Sequence, residues 1–74
     1  MKLDTLESVV LTRNIPEHGL QMGDLGTVVQ VYPGGAIEVE FVTCSGATQA
    51  LLTLGEEDVR EVDSQDLPAT RRLK

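Results

Sequence analysis

Gly23-Asp24-Leu25-Gly26-Thr27-Val28-Val29-Gln30-Val31-Tyr32, then Pro33-Gly34-Gly35, then Ala36-Ile37-Glu38-Val39-Glu40-Phe41-Val42, is the stretch that decides the fold. The Gly-Asp pair opens a tight turn and feeds a β-branched run. Pro-Gly-Gly reverses the chain. In the run that follows, Ile37, Val39 and Phe41 point one way and Glu38 and Glu40 the other, the clearest period-two pattern in the sequence. The two runs read as a hairpin at the centre of a small, strongly bent sheet. The pattern sets the architecture and carries no chemistry of its own.

Outward from this hairpin, Glu7 to Arg13 is strand-like by its β-branched content, with Val9 and Leu11 on one face. Asn14 to Gly23 reads as an irregular loop, in which Pro16 removes a backbone donor. Ile15, Leu20 and Met22 are expected to fold back onto the sheet, because a long loop in a small domain needs anchors. Downstream, Cys44-Ser45-Gly46-Ala47 is a turn and Thr48 to Leu54 a fourth strand. Gly55-Glu56-Glu57-Asp58 reads as one helical turn, and Val59 to Val62 as a closing strand. Residues 1–63 are then one domain, and residues 64–74 a polar tail, interrupted by Pro68, that is expected to fray.

Five short strands with a long loop after the first and one helical turn before the last predict an all-β, small five-stranded SH3-like barrel, two bent sheets packed orthogonally. An OB-fold also has five strands. It carries a longer helix between the third and fourth, where only Cys44 to Ala47 is available here.

At 74 residues the chain holds a single core. A domain this small buries only about 60% of the surface its unfolded chain exposes, so its stability is marginal. One cysteine, Cys44, excludes an internal disulfide, and one histidine, His18, leaves too few ligands for a structural zinc site. The apolar core must suffice, and self-association into a homo-oligomer is one way to support it. No run approaches the roughly 20 apolar residues of a spanning helix. The start, Met1-Lys2-Leu3-Asp4, has no apolar signal-peptide core. A lone cysteine without an export signal fits a reducing cytoplasm.

Charge discriminates further. Residues 1–63 hold three basic and eleven acidic groups, a net −8, whereas the tail holds three basic and one acidic, a net +2. Affinity for a phosphate backbone comes from clustered Lys and Arg that release counterions. The body has no such cluster, so nucleic acid is disfavoured and basic partners are steered towards it. Base-stacking platforms and proline-rich ligand grooves need several exposed rings. Here Tyr32 and Phe41 are the only aromatics, and Phe41 falls on the apolar face.

Catalysis finds no constellation. A Cys44–His18 pair would need an electropositive setting to ionise the thiol, and Cys44 follows an acidic strand. Glu38 and Glu40 are about 7 Å apart by strand rise. A glycosidase-like carboxylate pair would also need a cleft. The dense run Glu56, Glu57, Asp58, Glu61 and Asp63 lacks the alternating ligands and glycine turn of a calcium loop. The reading is therefore a non-enzymatic protein with no cofactor and no metal. Its candidate partner-binding residues are Glu38, Glu40, Glu56, Glu57, Asp58 and Glu61. The competing explanation is that these acids are solvated and keep the protein soluble.

Taken together, Val9-Val10-Leu11-Thr12-Arg13, Pro16-Glu17-His18-Gly19-Leu20, Gly23-Asp24-Leu25-Gly26-Thr27-Val28-Val29, Glu38-Val39-Glu40-Phe41-Val42, Ala50-Leu51-Leu52-Thr53-Leu54 and Asp58-Val59-Arg60 resemble a small bacterial family, domain of unknown function 4926, over roughly residues 6–62. The resemblance implies a compact SH3-like domain and no assigned activity. It also hints at toxin–antitoxin or immunity-type pairing. The Gly-Asp-x-Gly-Thr-Val segment is similar to the opening of translation-associated KOW motifs as well. Two functions follow as expectations. The first is an antitoxin- or immunity-like module that recognises a basic, toxin-like protein through an acidic surface. The alternative is a KOW-like nucleic-acid or ribosome-associated accessory domain. The sign of the surface charge favours the first.

Overall fold

The Pro33-Gly34-Gly35 reversal places both glycines at positive φ, 93° and 98°, where a side chain would be strained. The turn closes with Tyr32 N–H donating to Ala36 O at 2.9 Å. In the computed structural model, which describes residues 3–73, this turn joins two seven-residue strands, β2 (Leu25–Val31) and β3 (Ala36–Val42). Before them comes β1 (Ser8–Leu11) and after them β4 (Thr48–Gly55) and β5 (Val59–Glu61). One 3₁₀ turn, Pro16–His18, sits in the long loop, and another, Glu56–Asp58, precedes β5.

All pairings are antiparallel, in the order β4-β3-β2-β1-β5. The chain is all-β, with five antiparallel strands in one sheet and a single helical turn before the last strand. The ladders leave β4 and β5 as the two edges. Two bulges bend the sheet. One lies between Val28 and Gln30 of β2, and the other between Phe41 and Val42 of β3, opposite Gln49. No helix among the described residues is long and apolar enough to cross a membrane.

The alternation in β3 holds: Ile37, Val39 and Phe41 are all at most 2% exposed. They pack with Val9 and Leu11 of β1, Val28 of β2, Ala50 and Leu54 of β4 and Val59 of β5. Two loop anchors, Ile15 and Leu20, close on this core and bridge to each other. Met22 does not: it is 63% exposed. Its N–H is held by Asn14 Oδ1 at 2.8 Å, which fixes the loop there with the side chain outward. Leu3, in no periodic segment, is also part of the core.

Strand ends are shorter than the sequence suggests. β1 stops at Leu11, because Arg13 turns to Asp58, and β5 stops at Glu61, with Val62 exposed. The described part of the tail, residues 64–73, has no strand or helix, but two ion pairs tie it down. Arg60 meets Asp66 at 2.8 and 2.9 Å, and Arg71 grips Asp24 through Nε at 2.9 Å and Nη2 at 2.5 Å. Arg71 Nη2 also donates to Gly19 O at 2.9 Å. The tail thus bridges β5 to the start of β2 across β1. On this strand Val10 is buried outside the main core, between its cross-strand neighbours Leu25 and Arg60.

Candidate acidic site at the Gly34–Glu56 end of the sheet

Ladder register brings two turns together. Ala36 pairs with Gly55, so the Gly34–Gly35 turn abuts the Glu56–Asp58 turn. Glu56 Oε2 lies 3.5 Å from the point where a β-carbon on Gly35 would stand. Two shallow clefts flank Glu56. One, of about 470 Å³, is lined by Gly34, Gly35, Thr53, Gly55 and Glu57. The other, of about 330 Å³, is lined by Asp4, Val31, Tyr32 and Ile37. Neither lining contains a Lys or Arg.

The six acids named from sequence fall into three places. Glu56 and Glu57 stand exposed at this end. The Glu57 carboxylate folds back over Gly55, so that a β-carbon there would sit 2.5 Å from Oε1. Asp58, in the same turn, is already engaged. Its Oδ1 accepts from Arg13 Nε at 2.7 Å and its Oδ2 from Gly55 N–H at 3.0 Å. The Arg13 guanidinium, with help from that backbone N–H, holds the Asp58 carboxyl below its ordinary range.

Glu38 and Glu40 share the outer face of β3, half-buried rather than freely solvated. Tyr32 Oη donates to Glu38 Oε1 at 2.7 Å, and Thr53 Oγ1 to the same oxygen at 3.3 Å. Thr48 Oγ1 donates to Glu40 Oε2 at 2.7 Å. The Glu38 bond, and the neighbouring negative charge, raise the Tyr32 phenol above its ordinary value of 10. Glu61, on β5, pairs with Val9, so β2 and β1 separate it from β3 in the sheet order.

Sequence reasoning missed the arginine–aspartate pairs. Arg71–Asp24 joins residues 47 apart, for which no local signal exists. The Asp63–Asp66 turn was more accessible: Asp66 Oδ2 accepts Asp63 N–H at 2.7 Å, a short-range carboxylate turn. Cys44 is exposed in the β3–β4 turn, and His18 is exposed in the loop. Among the described residues, no three or more His, Cys, Asp or Glu side chains converge as metal ligands would.

Fold and site together define a small antiparallel β-domain with an acidic rim at one end. The chain belongs to the family described as Domain of unknown function (DUF4926), whose model matches residues 5–61. No curated protein and no solved structure matches it.

Proposed function

We propose that the protein is a non-enzymatic, cytoplasmic binding module that docks a basic protein through this acidic end, in the manner of an antitoxin or immunity protein facing a toxin-like neighbour. The observation that carries the reading is how the acids are used. Asp24, Asp58 and Asp66 are each taken by an arginine of the chain. Among the described residues, no side-chain hydrogen bond or ion pair engages the carboxylates of Glu56, Glu57 and Glu61. The surplus negative charge of the body is therefore presented mainly by glutamates, with Asp4 beside them in the second cleft. Two of the glutamates flank a glycine turn that lets a partner approach closely, beside the ring of Tyr32.

A guanidinium laid in the cleft would meet Glu56 and Asp4 and could stack on Tyr32. Charges of this kind act chiefly on association rate, so binding should slow as salt rises. The test is a titration of the protein with an arginine-rich peptide, followed by amide chemical shifts. Shifts should centre on Gly35 and on residues 55–57. The double reversal Glu56→Lys, Glu57→Lys should weaken binding at least about tenfold, or 1.4 kcal/mol, with the fold intact. Salt-sensitive retention of mixed RNA at sub-micromolar protein would overturn the proposal in favour of the KOW-like alternative.

A further inference from the structure

The two edges of the sheet are protected very differently. β5 has three residues and runs into the Asp63–Asp66 turn, which Arg60 pins. β4 has eight residues, and from Phe41 to Gly55 the sequence holds no Asp, Glu, Lys, Arg or Pro. Charges and prolines are the usual means of stopping an edge strand from recruiting another strand. The longest edge of this molecule has neither.

The ladder shows which backbone groups of β4 face outward. Ala36 O is turned to β2, where it accepts from Tyr32, and its partner Gly55 gives its N–H to Asp58. The Ala36–Gly55 pair is therefore one of the non-hydrogen-bonded pairs of the β3–β4 ladder. Antiparallel ladders alternate, so Glu38–Thr53 and Glu40–Leu51 are non-hydrogen-bonded as well. Leu51 and Thr53 thus point N–H and C=O away from β3. Among the described residues these groups have no backbone partner outside the sheet. On the same edge, Leu51 is 52% exposed, and Leu52 lies against the core only partly covered.

We propose that β4 pairs antiparallel with β4 of a second copy about a two-fold axis at Leu52, making one continuous sheet. In this register Leu51 of each copy exchanges hydrogen bonds with Thr53 of the other. The two Leu52 side chains meet at the central non-hydrogen-bonded pair, where side chains come closest. Each Ala50 lies opposite a Leu54, so inner faces stay inner and the two cores extend into each other.

The segment that would pair, Ala50 to Leu54, is uncharged and apolar but for Thr53, which suits a second copy of itself rather than the basic partner proposed above, whose acids stand beyond Gly55. Glu56 and Glu57 come only after its last residue, Gly55, and on β3, one strand back, sit Glu38 and Glu40. Across β3-β4-β4-β3 they face their counterparts at three strand spacings, about 14 Å. That exceeds the Debye length of about 8 Å at physiological ionic strength, so self-repulsion is screened.

Sedimentation equilibrium of the full chain over a wide concentration range is the primary test, and a reversible monomer–dimer equilibrium is expected. As dimer forms, amide exchange should slow at Leu51 and Thr53 and stay unchanged at Ala50 and Leu52, which already bond to β3. Leu51→Lys should weaken the dimer at least about tenfold. Thr53→Pro, which deletes an outward donor, should abolish it. Circular dichroism reports whether each variant folds, and the wild-type exchange pattern decides the matter if Thr53→Pro does not. A chain monomeric up to millimolar concentration would overturn the proposal. So would a dimer that survives Leu51→Lys undiminished, or one that leaves the Leu51 and Thr53 amides unprotected.

Discussion

Replacing Gly26 by alanine would place a methyl carbon 2.6 Å from Val39 Cγ1 and 2.7 Å from Phe41 Cε2. Carbon atoms in a packed core sit about 3.5–4.0 Å apart, so the shortfall is about 1 Å against each neighbour. Neither neighbour has slack, because Val39 is fully buried and Phe41 is 2% exposed. Relief must come from off-rotamer side chains or from separating β2 and β3, and overpacking of this kind costs about 1–3 kcal/mol. An opposing effect is the reduced freedom of the unfolded chain, about 0.4–1 kcal/mol in favour of alanine. The net expectation is a loss of about 1–2 kcal/mol, a sizeable part of the stability of so small a domain. Urea melts give the value as a shift in midpoint at constant slope. A coupled test adds Phe41→Leu, which removes the ring carbon in the way. Gly26→Ala should cost less in that background than in the wild type. A neutral or stabilising Gly26→Ala, or strict additivity with Phe41→Leu, would refute the close-packed contact on which the reasoning rests.

Three further outcomes follow from the hydrogen-bonded acids. Glu38→Gln should bring the phenol of Tyr32, the single tyrosine, back towards its ordinary value, read by ultraviolet titration; Glu38→Ala should also cost about 0.5–1.5 kcal/mol, more than a bare surface change, because two hydroxyls lose their acceptor. The folded-state carboxyls of Asp24, Asp58 and Asp66 all lie below the ordinary 3.8, Asp66 at about 2, so the unfolded chain binds more protons in that window; stability should be level above about pH 5 and fall in thermal melts as pH drops from about 4 towards 2. Arg71→Ala should release the tail without unfolding the sheet, seen as faster amide exchange confined to residues after Asp66 and to the loop around Gly19; unchanged exchange there would mean that the Arg71–Asp24 pair does not hold the tail.

How much could be read from sequence depended on how far apart the deciding residues stand. The β3 alternation needed only neighbours two positions away, and its inward and outward faces were legible. β2 was harder, because Val28, Val29 and Val31 offer two phases at once; the bulge between Val28 and Gln30 reconciles them by letting one residue drop out of the ladder. Leu20 and Met22 look equivalent in the loop, but the Met22 N–H donates to Asn14, eight residues earlier, and only this second side chain lies outside. The acidic run from Glu56 to Asp63 was visible as composition. Its division into free and committed members was not, since Arg13 selects Asp58 from 45 residues away. For the same reason the sequence could not show that hydroxyls on β4 and at the end of the β2–β3 hairpin half cover Glu38 and Glu40, named among the partner-binding candidates.

The place of β1 in the sheet has a consequence for how the chain acquires its shape. The first strand to be synthesised is flanked by β2 and by the last strand, β5. The β2-β3-β4 meander is built from short-range hairpins and can form quickly, whereas the β1–β5 ladder must close a loop spanning most of the chain, the slow kind of contact. During translation β1 therefore waits with one side unsatisfied until Val59 to Glu61 have left the ribosome. A message cut short before Val59 would yield a product with two open strand edges instead of one, the kind of nascent species that aggregates or calls on chaperones.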